Sequence, residues 1–131
     1  MLEKKFTVAG AGLVGSLFAL YLAKKGHQVD VFERRKDMRS EIIVAGKSIN
    51  LSLSTRGWKA LAGVGIEKEV MKMAIPMYKR VMHALDGTLT HQAYGNEGEA
   101  IYSVSRAGLN VLLMNLAERE DKVNFHFNEK C

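Results

Sequence analysis

Val8-Ala9-Gly10-Ala11-Gly12-Leu13-Val14-Gly15-Ser16 is the stretch whose reading decides the fold. On its N-terminal side Lys5-Phe6-Thr7-Val8-Ala9 is a short β-prone run ending at a glycine. On the other side Leu13 to Lys25 is rich in helix formers and stops at Gly26, a C-cap signal. Leu13, Val14, Leu17, Phe18, Leu20, Tyr21 and Leu22 make that helix apolar around most of its circumference, which predicts an interior position. Gln28-Val29-Asp30-Val31-Phe32-Glu33 then alternates polar and apolar, as a strand does. The first 33 residues therefore read β-α-β, with connections that suit a parallel pair of strands.

Within this unit Gly10, Gly12 and Gly15 match G-x-G-x-x-G between a strand and a helix. Each glycine has a mechanical reason. Gly10 permits the tight turn, Gly12 lets backbone approach a pyrophosphate, and Gly15 lets the helix pack against the strand. The helix start at Leu13 and Val14 offers unpaired N–H groups and a positive dipole end to phosphates. Glu33 ends the second strand, roughly 20 residues beyond the motif, where an acid accepts hydrogen bonds from ribose hydroxyls. A carboxylate there repels a 2′-phosphate, so the site favours FAD or NAD, and the motif does not separate those two. The competing reading is a glycine-rich turn with no ligand. The agreement of strand, helix, spacing and acid weighs against it.

Downstream of Glu33 the pattern is looser. Residues 34–47 are charged and read as loop, and Ser48 to Ser54 alternates and is either extended or the lead into a helix. Thr55 to Val64 reads as a helix capped by Ser54 or Thr55, and Ile66 to Ala74 as a second short helix before Pro76. Arg80 to Leu85, Leu89 to Tyr94 and Ala100 to Ser105 read as strands, with Asp86-Gly87 a hairpin turn. Ala107 to Glu120 is predicted helical and Val123 to Phe127 a strand.

Composition sets the outer limits. A chain of 131 residues with 47% hydrophobic and 25% charged residues forms one folded domain and is too apolar for disorder. No apolar run approaches the ~18–20 residues of a membrane span, and the N-terminus carries no secretion signal. The single cysteine, Cys131, excludes a disulfide framework or Cys-based zinc site within the chain, and the expected location is cytoplasmic. The net charge of +5 is scattered, and its densest cluster, Arg34-Arg35-Lys36, is flanked by Glu33 and Asp37, so nucleic acid is not an expected partner.

Other candidates carry less. Gly46-Lys47-Ser48 resembles the end of a P-loop, but Glu41 stands where that pattern needs glycine. The Asn50-Leu51-Ser52 sequon has no meaning without a secretion signal. His27, His83, His91 and His126 lack metal-ligand spacing and are expected at the surface. Trp58 is expected to pack within its helix. Met71, Met73, Met77 and Met82 suit either gap-filling core, the favoured reading, or a mobile substrate surface. Read by composition alone, Arg80 and Arg106 belong at the surface, because a buried arginine needs an anion.

Several segments together resemble the N-terminal part of the kynurenine 3-monooxygenase family, which are flavin-dependent aromatic hydroxylases. They are Ala9 to Ser16, Val31-Phe32-Glu33-Arg34-Arg35, Ser48-Ile49-Asn50-Leu51, Arg56-Gly57, Gly63-Val64-Gly65, Arg80-Val81-Met82-His83, Tyr94-Gly95, and Ser103-Val104-Ser105-Arg106 followed by Leu109-Asn110. The Ser-Ile-Asn-Leu and Ser-Arg-x-x-Leu-Asn segments are the most specific of these. The resemblance runs through nearly the whole chain. It implies an α/β fold, the first part of a Rossmann-type FAD-binding domain. It also implies an inserted β-rich region, residues 78–105, that begins the substrate face.

The resemblance further implies that Gly10, Gly12, Leu13, Val14 and Gly15 cradle the FAD pyrophosphate, and that Glu33 holds the ribose with Arg34 beside it. Ser52 would pass close to the flavin and Arg106 would contact FAD. Arg80 and Tyr94 would grip the amino-acid carboxylate of L-kynurenine, with NADPH as reductant and O₂ as co-substrate. It implies no catalytic acid, base or nucleophile in this stretch. The departures are Lys47 for the family's arginine, Ala93 for its proline, and Ser52 for its usual alanine. Family members continue well past this length, so the chain is expected to be an N-terminal portion with open sheet edges, marginal alone or prone to self-associate. A non-catalytic dinucleotide-binding module and a piece of an NAD-dependent dehydrogenase are the alternatives.

Overall fold

The structure, a computed structural model, describes residues 2–40 and 49–131. Glu41, Gly46, Lys47 and Ser48, on which the P-loop comparison and one departure rest, lie outside the described residues.

The β-α-β unit forms as its sequence predicts. Strand β1 (Lys5–Ala9) leads into helix α1 (Leu13–Lys24), and β2 (Gln28–Glu33) returns parallel to β1 with Val8 opposite Val31. Gly26 ends α1 in the left-handed region at φ +85, donating its N–H to the Ala23 carbonyl at 2.8 Å. The last strand, β8 (Val123–Phe127), adds parallel to β2, giving the order β1-β2-β8.

Strand parity decides which face is buried. Val29, Val31 and Val123 point into the core with Leu20, Leu113 and Met114, and Phe6, Val8, Phe125 and Phe127 pack against them. On the other face of the sheet Asp30 pairs with His126 at 3.0 Å and Lys5 at 2.9 Å, and Phe32 stacks on the His126 ring. Helix α4 (Arg106–Glu118) packs beside α1 and closes the buried side. Its N-cap is Ser105, whose side chain accepts from the Gly108 N–H at 3.1 Å.

The middle of the chain builds two further sheets. Strand β3 (Asn50–Leu53) and β4 (Ile75–Met77) flank β7 (Ile101–Ser105) in an antiparallel sheet, joined by α2 (Thr55–Ala62) and α3 (Glu67–Met71). Tyr21 of α1 donates its hydroxyl to the Ala60 carbonyl at 2.6 Å, tying α2 to the first unit. Strands β5 (Lys79–His83) and β6 (Leu89–Ala93) form a separate two-stranded ribbon around Asp86-Gly87.

Some expectations change. The second short helix stops at Met71, and Ile75-Pro76-Met77 is a strand at the edge of its sheet, where a proline's missing donor costs nothing. His27 is buried, its Nδ1 accepting from the Lys4 N–H at 3.3 Å and its ring tilted against Phe6. Of the four methionines noted, Met73 packs against the core, whereas Met71 and Met82 are exposed. Trp58 packs edge-on against Tyr102, as its helical position predicts.

Candidate functional site

The site is built where β1 turns into α1. Gly10 sits at φ +98, a conformation that only glycine adopts without strain. A Cβ on Gly15 would overlap the Gly10 carbonyl oxygen and lie 3.1 Å from its carbon and 3.4 Å from Val8 Cγ1, so the missing side chain sets how closely α1 meets β1. Gly12 differs: a Cβ there would meet nothing within 4 Å. Its hydrogen is therefore not needed for packing, and the space in front of it is open to a ligand. No side chain caps α1 at Gly12 and no acid lies in its first turn, so nothing on the helix itself offsets its positive end there.

Glu33 reaches this turn from β2, where strand parity turns its side chain inward with Val29 and Val31. Its Oε2 accepts from the Ala11 N–H at 2.9 Å. Its Oε1 accepts from the Arg35 N–H at 3.0 Å and from Arg35 Nε at 2.8 Å. These donors, led by the Arg35 side chain and opposed by burial, hold the Glu33 carboxyl down at about 2. The charge is thus present at neutral pH beside the helix start.

Two cavities are lined by this carboxylate and a third adjoins them, and Arg35 borders all three. One of about 360 Å³ is lined by Glu33, Ala11 and an apolar wall of Met38, Met114 and Phe127. A second joins Gly10, Glu33 and Arg34 to the C-terminal residues Glu129, Lys130 and Cys131. A third brings Gly12 and Leu13 of the fingerprint to Arg106 and Asn110 of α4. The segment that carries Met38 is pinned by Arg39, which bonds Asp37 at 2.7 Å and Glu118 at 2.6 Å and lies over the Phe125 and Phe127 rings.

The residues singled out from the sequence fall into three places. Gly10, Gly12, Leu13, Gly15, Glu33 and Arg106 come together at the turn, with Val14 exposed at the helix start. Arg34 lines the second cavity, while Arg35, its neighbour, holds Glu33. Ser52 lies exposed in β3 opposite Ser103. Arg80 and Tyr94 lie on the ribbon and line none of the three cavities. Arg80 faces Gln92 across the register and donates from Nε to Gln92 Oε1 at 2.8 Å, and the Tyr94 N–H donates to the Tyr78 carbonyl at 3.0 Å. Sequence reading missed Asn110 as a site residue, and with it the wall of Met38, Met114 and Phe127. Arg106 and the Leu109-Asn110 pair of the resemblance were the signals that pointed toward α4. Among the described residues no helix is long and apolar enough to cross a membrane, and no group of His, Cys, Asp and Glu is placed to hold a metal ion.

A parallel sheet, a glycine turn into an uncapped helix, and an inward acid at the end of the second strand define a dinucleotide-binding α/β domain. The chain belongs to the family described as "NAD(P)-binding Rossmann-like domain", which it matches over residues 8–73. It is 50% identical over 128 residues to the kynurenine 3-monooxygenase of Christiangramia forsetii, covering 98% of this chain and 28% of that protein. The like-named proteins of Flavobacterium johnsoniae and Anopheles gambiae are 52% and 47% identical, over 96% and 94% of this chain and 28% and 26% of theirs. The chain thus spans just over a quarter of the length of these relatives. Among solved structures it superposes on Pseudomonas aeruginosa PqsL in complex with 2-aminobenzoylacetate, with TM-score 0.77 and 19% identity, covering 97% of this chain and 33% of that one. The p-nitrophenol 4-monooxygenase PnpA of Pseudomonas putida gives TM-score 0.77 at 18% identity, covering 97% and 33%. These two share the fold.

Proposed function

We propose that the chain is the cofactor-recognising N-terminal portion of an FAD-dependent monooxygenase that hydroxylates L-kynurenine to 3-hydroxykynurenine with NADPH and O₂. The observation that carries this reading is the open, uncapped start of α1 at Gly12 beside the ionised Glu33. The near-50% identity to kynurenine 3-monooxygenases over almost the whole chain supports the specific activity.

The residues present fit a flavin dinucleotide. The N–H groups at Leu13 and Val14 would hold its pyrophosphate, Glu33 its ribose hydroxyls, and the Met38, Met114 and Phe127 wall its adenine ring, with Arg34 and Arg35 at the rim. Arg106 lies across the cavity from Gly12, and Ser52 belongs on the flavin side. FAD, when bound, supplies the redox and oxygen-transfer chemistry. This chain's residues bind and orient it, and none acts as acid, base or nucleophile. Arg80 would receive the substrate carboxylate in a two-pronged geometry, with Gln92 steadying one edge of the guanidinium and Tyr94 on the same face of the ribbon. We read residues 1–47 as the fingerprint unit and 78–105 as the start of the substrate side. The outer edges of β1 and β8 suit further strands, from a longer protein or from a second copy. A free Cys131 suits a reducing cytoplasm.

Titration of the chain with FAD, and with NAD in parallel, tests the cofactor reading. Flavin fluorescence and thermal melting are the readouts. Selective stabilisation by FAD is the expected result. Stabilisation by NAD alone would instead favour a dehydrogenase, and uptake of neither would overturn cofactor recognition by this portion.

A further inference from the structure

We infer that Asn110, on α4 and distant in sequence from the fingerprint, is a positioning residue that sets the Gly10–Gly15 turn for the cofactor. This rests on the dinucleotide reading of that turn. Ala11 is the residue through which it acts. The Ala11 N–H is held by Glu33 Oε2 at 2.9 Å. The Ala11 carbonyl is held from the opposite side by Asn110 Nδ2 at 3.0 Å, with the Ser16 hydroxyl a longer second donor at 3.3 Å. The two residues flanking Ala11 are Gly10 and Gly12, the least restrained residue type in the backbone. The turn therefore has little stiffness of its own. Its geometry is imposed by β2 at the Gly10–Ala11 peptide and by α4 at the Ala11–Gly12 peptide.

The chemistry of Asn110 itself argues for this role over packing. The side chain is 7% exposed, its Nδ2 also approaches Met38 Sδ at 3.1 Å, and its Oδ1 is buried with no partner among the described residues. The amide cannot be turned round, because the Ala11 carbonyl accepts and needs a donor. A leucine of similar size would fill this place without leaving an unpaired acceptor, and an orphaned buried polar atom is unfavourable. The amide is worth its half-satisfied state only if the bond to Ala11 matters. The same side chain lines the cavity between Gly12 and Arg106, so the residue that holds the turn also borders the place where the cofactor must enter.

The test separates positioning from stability. Asn110→Leu in the full chain should melt within about 3 °C of the parent, since it removes an orphaned acceptor, keeps the branched shape, and leaves the Ser16 hydroxyl to serve the Ala11 carbonyl. Yet its dissociation constant for FAD should rise at least tenfold, and amide hydrogen exchange at residues 12–16 should quicken while that of Val29 and Val31 is unchanged. FAD binding within twofold of the parent, or exchange that quickens equally throughout the core, overturns the inference. Should Asn110→Leu not fold, Asn110→Ala carries the same three readouts. If the parent takes up no FAD, the proposed function falls, and the exchange comparison alone decides for or against Asn110.

Discussion

The β1-α1-β2-β8 unit and the β5-β6 ribbon use the same backbone ladders and differ in what covers them. In the first, Val29, Val31 and Leu20 are sealed between the sheet and two helices. In the second, every residue from Tyr78 to Glu99 is exposed, including Val81, Met82, Leu85 and Leu89. Hydrogen bonding between two strands is weak support without a second surface, because the net gain per bond is small and an isolated hairpin is marginal in water. The parallel unit owes its stability to burial, and the ribbon as it stands contributes almost none. The proposed function divides along the same line. Most of the residues proposed to hold the cofactor sit on the rigid part, whereas Arg80 and Tyr94, proposed to meet the substrate, sit on the part that is uncovered.

The largest expected effect breaks the rigid part. Gly15→Ala puts a methyl group onto the Gly10 carbonyl, a backbone atom that cannot swing away. Separating α1 from β1 is the only relief. We expect a loss of roughly 3 kcal/mol or more in urea unfolding, at the upper end of overpacking costs. Gly12→Ala, in the same turn, meets open space at φ −78 and should melt within about 0.5 kcal/mol of the parent while losing FAD affinity. Equal stability of the two variants would refute the packing role assigned to Gly15.

A smaller effect concerns charge. Glu33 lies at about 2 against an ordinary value of 4.5, so its carboxylate favours the folded state. That contribution is complete above about pH 4.5 and is lost as the pH falls toward 2. Glu33→Gln should cost about 1 kcal/mol at neutral pH, the scale of one net hydrogen bond, and flatten the acid limb of a urea-midpoint series. Asp30, held at about 2 by His126 and then Lys5, keeps part of that limb in the variant. An acid limb as steep as the parent's would mean that Glu33 is not tied to the turn.

How much was legible in the sequence follows the same divide. The β-α-β unit was readable because periodicity, glycine chemistry and the acid at Glu33 agree within a short stretch. Strand β4 was not, since three residues around Pro76 carry no period and their partner β7 is remote. The apolar wall of the site was also hidden. Met38, Met114 and Phe127 are ordinary core residues until the fold sets them beside Glu33. Arg34 and Arg35 are equivalent on paper, and only alternation along the chain after β2 turns Arg35 onto the carboxylate. His27 went inside because the cap at Gly26 directs the chain back under β1, where the Lys4 N–H needs an acceptor.

The smallest effect is expected on the ribbon, and its smallness is informative. Leu85 is fully exposed at the hairpin turn, so Leu85→Ser removes no buried area and should change stability by less than about 0.5 kcal/mol. The amides of Lys79 to Ala93 should exchange far faster than those of Val29 and Val31, because opening the ribbon uncovers nothing. A marked loss of stability in Leu85→Ser, or protected ribbon amides, would show that something covers this surface in solution. Repeating the melt over a range of protein concentrations then identifies it. A melting temperature that rises with concentration assigns the cover to a second copy of the chain. One that does not places it within the same molecule, and Arg80 and Tyr94 would then belong to a closed substrate surface.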